Sequence, residues 1–224
     1  MVKKQYTRNE EIANFSTHGA GILLGAAAGV WLLIKALSCD FWVISSVAVY
    51  IVCMIFSYFA STFYHACKAG KRKETLRKLD HVAIYFHIAG TYTFFTLTIL
   101  RHTGWWGWIL FFIVWIAALA GSLISLKGKG IGNRLETVCY IVMGLVVFVA
   151  FKPLFDTLNR MEALEILWYI IAGGASFVLG ALLYTFKKIP YIHSVFHLFV
   201  LGGSFFHIWA INSALGSYYF WYLK

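Results

Sequence analysis

Charged residues are scarce in this chain. They make up 12% of its 224 residues, where a soluble domain carries roughly 25%. Too little polar surface is available to cover a water-soluble globule of this size. Cysteine is no richer: Cys39, Cys53, Cys67 and Cys139 show no CxxC pairing. That excludes a thiolate metal site and a disulfide framework, and the four read as small apolar residues. The two prolines, Pro153 and Pro190, stand at the ends of apolar runs rather than inside them. No internal repeat or low-complexity tract occurs, and no cleavable signal peptide is apparent, because the run from Ile22 is too long for an h-region.

What is abundant is apolar surface, at 61% of the residues, with 19% aromatic. This composition is that of a polytopic membrane protein whose solvent is largely lipid. Seven apolar segments can be marked, over 14–37, 41–67, 79–100, 105–126, 135–151, 163–186 and 191–215. Each is long enough to cross a core of about 30 Å as a helix. The expected organisation is a short polar tail, 1–13, and a single seven-helix domain, 14–224. A polar linker is expected between Lys152 and Glu162.

The formal charge of +10 does not point to nucleic acid, because the basic residues recur in short clusters between apolar runs. With seven spans, fourteen Lys and Arg fall on one side and five on the other, all nineteen accounted for. The positive-inside rule then puts the N-terminus in the cytoplasm and the C-terminus outside. Trp105, Trp106 and Trp108, and the run Tyr218–Tyr222, fit interfacial anchoring on the outer side. Gly25 and Gly29 have small-xxx-small spacing for close helix packing. The chain is expected in the cell membrane as a multi-pass protein. Its oligomeric state is not legible.

Ionisable groups inside membrane spans are costly and mark functional sites. His193 and His197, four apart, share one helix face. His65 ends the second segment and Asp80 begins the third. The charge count assigns all of these to cytoplasmic helix ends. Three neutral imidazoles with an open fourth position are a catalytic-type zinc arrangement. Asp80 is placed to act on a water there, although it also suits an N-cap of the third segment. Ser61, four residues before His65, shares its face and can orient a histidine or polarise a carbonyl. Around this set, His18 is near enough to reach the site, His87 can join a polar cavity deeper in the membrane, and His207 lines a cavity or packs. His81 is expected to face headgroups or a neighbour, and His102 has no visible partner.

The motifs Ser61-x-x-x-His65, Leu79-Asp80-His81 and His193-x-x-x-His197 together resemble the hemolysin III family of bacterial membrane proteins. Glu11-Ile12-Ala13-Asn14 with His18, Ala89–Thr93, and the stretch from His197 to Ser204 carry the same resemblance. That family is grouped with the adiponectin and progestin receptors and, more distantly, the alkaline ceramidases. The resemblance implies seven helices, a Zn2+ ion on His65, His193 and His197, and Asp80 acting through a water. It suggests hydrolysis of a lipid amide, with membrane lipid or free fatty acid as partner. It also leaves open a structural metal in a non-enzymatic sensor of the membrane, and a cytolytic role.

Overall fold

The computed structural model describes residues 6–127, 133–186 and 188–222, with the side chains of 133, 134 and 218–222 left aside. Of the tallied basic residues, Lys3, Lys4, Lys129, Lys187 and Lys224 and the side chain of Arg134 therefore lie outside the described residues. So do the aromatic side chains of the 218–222 run. The described chain is helical: α1 Arg8–Ala36, α2 Phe41–Ala66, α3 Lys71–Thr98, α4 Trp106–Lys127, α5 Asn133–Leu145, α6 Phe151–Arg160, α7 Leu164–Tyr184 and α8 Ile192–Tyr222.

Six stretches are long and apolar enough to cross a membrane. They are α1, α2, α4, the continuous run Leu135–Arg160, α7 and the Ile192–Ser217 part of α8. Their outward faces carry Leu23, Val52, Ile116, Trp168 and Phe205, all exposed, as a lipid-facing surface requires. The long helix missing from this set is α3. Its residues 89–100 are buried without interruption, enclosed by α2 and α4. A helix wrapped by protein can carry Thr91, Thr93, Thr96 and Thr98, because each hydroxyl is buried against the helix itself. Thr93 and Thr98, for example, donate to the Ala89 and Phe94 carbonyls at 2.8 and 2.6 Å.

Local signals set the helix starts. Thr7 caps α1 in a reciprocal box: its hydroxyl accepts from the Glu10 amide, and the Glu10 carboxylate accepts from the Thr7 amide. Asp40 caps α2 through the Val43 amide at 2.9 Å and pairs with Arg101 at 2.7 Å. α3 begins at Lys71, earlier than the apolar run, with Gly70 in the left-handed region at φ 147° before it. Asp80 is thus well inside a helix, which overturns its reading as an N-cap.

The expected linker 152–162 is also corrected: residues 151–160 are helix α6. Pro153 explains the irregularity just upstream. Having no N–H and crowding the carbonyl four residues back, it fits the first turn of a new helix and interrupts the run before it. Residues 146–150 tighten into a 3-10 turn there. Tyr92 of α3 bridges the break, donating to the Gly144 carbonyl at 2.7 Å and accepting from the Val147 amide at 2.8 Å.

Helix α1 buries one stripe: Glu10, Asn14, His18, Gly21, Gly25, Gly29, Leu32 and Ala36. Its membrane half packs closely on α2, where a Cβ on Gly29 would lie 2.8 Å from Ile51 and one on Gly25 3.0 Å from Met54. The glycines let the two helices approach, as their spacing predicts. The polar half of the same stripe faces the site.

Candidate metal centre

His65 lies in the last turn of α2, and His193 and His197 in the first two turns of α8. All three are buried, at 3%, 8% and 1% exposure. One ring nitrogen from each falls within 4.8 Å of the others. The Nε2 atoms of His65 and His193 are 3.0 Å apart. Ser61 Oγ is 3.5 Å from His197 Nε2, and Ser61 is bonded to the half-buried Asp80 of α3. The five residues predicted as the site are therefore assembled in one place from three helices.

Whether this cluster suits a cation depends on which ring nitrogens carry protons. His65 Nδ1 lies 2.6 Å from Glu11 Oε2. A carboxylate only accepts, so Nδ1 holds the proton and Nε2 presents a lone pair. His197 Nδ1 is 3.2 Å from the Asn14 carbonyl oxygen, another pure acceptor, and 3.0 Å from Thr17 Oγ1. Thr17 can give its own hydrogen to the Ala13 or Asn14 carbonyl, so Nδ1 donates and Nε2 is again bare. His193 Nδ1 lies 3.1 Å from the Tyr6 hydroxyl. Tyr6 is also bonded to Tyr184, and burial together with that neighbour holds its phenol far above the ordinary tyrosine range. One nitrogen from each of the three rings thus comes within 4.8 Å of the others, close enough that the group could hold a metal ion. Donation of the outer ring N–H to a fixed acceptor is the usual support of metal-binding histidine. The donor set, three neutral imidazoles, suits zinc among the borderline metals.

Helix α1 was foreseen here only through His18, and it does more than that. Besides Glu11, Asn14 and Thr17, it supplies Glu10, whose Oε1 accepts from the Tyr191 amide at 3.1 Å. Tyr191 holds a positive φ of 58°, a conformation that costs a non-glycine residue about 1–3 kcal/mol and turns the chain into α8 just before His193. Asn14 Oδ1 accepts from Ser194 at 2.6 Å. Glu11 also receives Lys73 at 2.8 Å, and Lys73 caps the last carbonyls of α2, Tyr64 and Cys67. The signal for this in the sequence is a run of polar residues at three- and four-residue spacing, 10, 11, 14, 17 and 18, that opens into the glycine stripe.

The remaining histidines separate clearly. His18 stacks on His197, ring centroids 3.6 Å apart, with neither of its nitrogens partnered. His87 bonds Ser204 Oγ at 3.4 Å. His81, expected at headgroups or a neighbour, finds the neighbour: Nδ1 meets Glu136 Oε2 of α5 at 2.8 Å, and Ser125 holds the other oxygen at 2.8 Å. Glu136 is buried and was not anticipated from its sequence. His102, expected without a partner, touches Arg101 at 3.3 Å, and burial and that guanidinium lower its pKa.

A cavity of about 460 Å³ runs from the histidine cluster into the bundle. Ser61, Asp80, His193 and His197 line its polar end, and α5, the 3-10 turn after it, α6 and α7 contribute Ile141, Phe148, Leu154, Leu167 and Ile171 to an apolar body.

Residues 6–208 match the family described as Haemolysin-III related. The chain belongs to the haemolysin-III family. It is 40% identical over 200 residues to a Hemolysin-3 homolog of Bacillus subtilis, covering 89% of this chain and 91% of that one. Hemolysin-3 of Bacillus cereus is 39% identical over 196 residues, 87% of each. The human Monocyte to macrophage differentiation factor is 27% identical over 212 residues, 90% of this chain and 83% of that one. Membership and the six apolar helices make this haemolysin-III protein a multi-pass protein of the cell membrane.

Proposed function

We propose that this haemolysin-III protein is a metal-dependent hydrolase of lipid amides, acting in membrane homeostasis. The observation that carries the reading is the joining of two things: a buried histidine triad whose ring nitrogens lie within 4.8 Å of one another, and an apolar cavity that starts at it. Zinc on His65, His193 and His197 would supply a Lewis acid that polarises a carbonyl and acidifies a water at its open position. The chain's own groups supply the rest. Asp80 accepts the proton of the attacking water and returns it to the leaving amine. Ser61, between Asp80 and His197, donates its hydroxyl to the carboxylate and holds it in place. The apolar body of the cavity excludes water and takes the acyl chain, which enters sideways from the bilayer. Seven crossings with a cytoplasmic N-terminus fit this arrangement, with α3 as the seventh. The basic stretch Lys68–Lys78 adjoins the site, supporting the cytoplasmic end as its location.

The test is release of fatty acid from ceramide-like and phospholipid substrates by purified protein. Turnover of a ceramide-like substrate that disappears in His197→Ala is the expected result. Equal turnover by both proteins removes the hydrolase reading. A second reading, a structural metal tying α2 to α8, is favoured by the ligands coming from just those two helices. It requires Asp80→Asn to leave the cellular phenotype intact. A cytolytic role, the one the relatives' names suggest, would need a polar path across the membrane, whereas the body of this cavity is apolar.

A further inference from the structure

The end of the cavity away from the histidine cluster is closed by four leucines. Leu100 follows α3, and Leu110, Leu154 and Leu167 stand near the starts of α4, α6 and α7. All four line the cavity, yet they are only 1%, 0%, 1% and 5% exposed. They belong to one packed cluster with Ile99, Leu158 and Ile166, which are themselves at 1%, 0% and 0%. Interiors packed in this way hold few voids larger than a water, so an occupant of the cavity stops at the leucines.

The distance from the polar end to this stop can be read on three helices. On α3 the lining runs from Asp80 to Thr96, about 24 Å. On α7 it runs from Tyr184 back to Leu167, about 26 Å, and on α8 from His193 to His207, about 21 Å. An extended acyl chain advances by about 1.3 Å per carbon, the projection of a C–C bond of about 1.52 Å on the chain axis. The three lengths therefore hold about sixteen to twenty carbons. A shorter chain leaves the apolar wall at the far end uncovered. A longer one has to push the leucines into the core behind them, and a packed core resists overfilling.

We infer that the cavity measures its acyl chain: it takes chains of about sixteen to twenty carbons, and Leu100, Leu110, Leu154 and Leu167 set the upper limit. The inference rests on the acyl-chain reading of the cavity given above. It makes the four leucines specificity residues, remote from the histidine cluster and from the chemistry.

The test is competition for labelled stearate on the purified full chain by unlabelled laurate, stearate and lignocerate, saturated chains of twelve, eighteen and twenty-four carbons. They are compared at equal mole fraction in detergent, where a methylene is as well solvated as against the cavity wall, so that differences report fit. Stearate should compete best. Lignocerate should be weaker by about tenfold, the scale of overfilling a packed interior, and laurate should also be weaker. Leu154→Ala, which removes part of the stop, should narrow the gap between lignocerate and stearate by several-fold. Lignocerate binding as tightly as stearate to the wild type overturns the upper limit and leaves the acyl cavity standing. Laurate binding as tightly as stearate overturns the length. An unchanged gap in folded Leu154→Ala overturns the leucine stop. Failure of all three lipids to bind overturns the acyl-chain reading and the measure with it. The wild-type series decides the matter even if the variant does not fold.

Discussion

The histidines of this protein fall into two groups that differ in one respect. His65, His193 and His197 each have Nδ1 engaged by a group on or just before α1: Glu11, Tyr6 and Asn14 with Thr17. His18 and His207 are as deeply buried, yet hold nitrogens with no partner. In the first group the backs of the rings are fixed and the fronts converge. In the second, His18 has neither nitrogen bonded and His207 only one. Preorganised, convergent nitrogens suit an ion that stays. The contrast separates the histidines that could hold a metal ion from those that line the rest of the cavity.

The largest expected effect is on the fixed group. His197→Ala should reduce bound metal from one ion per chain to background, measured by elemental analysis of purified protein, and lower the melting temperature as chelation of the wild type does. Full metal content in this variant would dissolve the distinction. Next comes Asp80→Asn. Metal content and fold should persist while lipid hydrolysis falls by about a hundredfold or more, the usual range for losing a general base. Undiminished turnover would move Asp80 out of the chemistry.

Smaller is the effect of the supporting shell. Glu11→Gln keeps an acceptor opposite His65 but removes its charge, and should weaken metal affinity by about tenfold in competition with a chelator. No change would mean that the α1 bracket only packs. Smallest is His18→Phe. It removes two unpartnered buried nitrogens without touching a ligand, so metal affinity should hold while resistance to denaturant rises by about 1 kcal/mol. A loss of metal there would place His18 with the fixed group. The packing side of α1 can be checked independently with Gly29→Val, which forces a contact with Ile51 and should cost about 1–3 kcal/mol.

Much of the site was legible in the residues. Histidines four apart on an apolar helix have little reason to be there except to act together, so His193 and His197 announced themselves. His65, Ser61 and Asp80 followed from lying at the same helix ends. Glu11 and Tyr6 did not, because polar residues near a chain end read equally well as a solvated tail. Only the early start of α1 at Arg8 turns them inward. Glu136 escaped for a similar reason: a carboxylate at the edge of an apolar segment has no address until α5 is laid against His81. The break at 146–150 and the helix that follows were masked by the polarity of 152–162, whose face periodicity is amphipathic rather than loop-like.

By itself, then, the order of residues determined that this chain lives in a membrane, where most of its long apolar helices run, and which three imidazoles belong to one cluster. These follow from solvent and spacing, which act locally and can be read along a line. Tertiary structure alone decided which nitrogen of each clustered histidine meets the chain around α1, that α1 braces the cluster, and that His207 is buried between Phe95 and Phe177. Those depend on partners 50 to 190 residues apart meeting at hydrogen-bond distance, as Glu11 meets His65 and Tyr6 meets His193 across separations of 54 and 187. No local pattern encodes that meeting. It arises when the glycine stripe of α1 closes on α2 and brings the polar half of the same helix against α8.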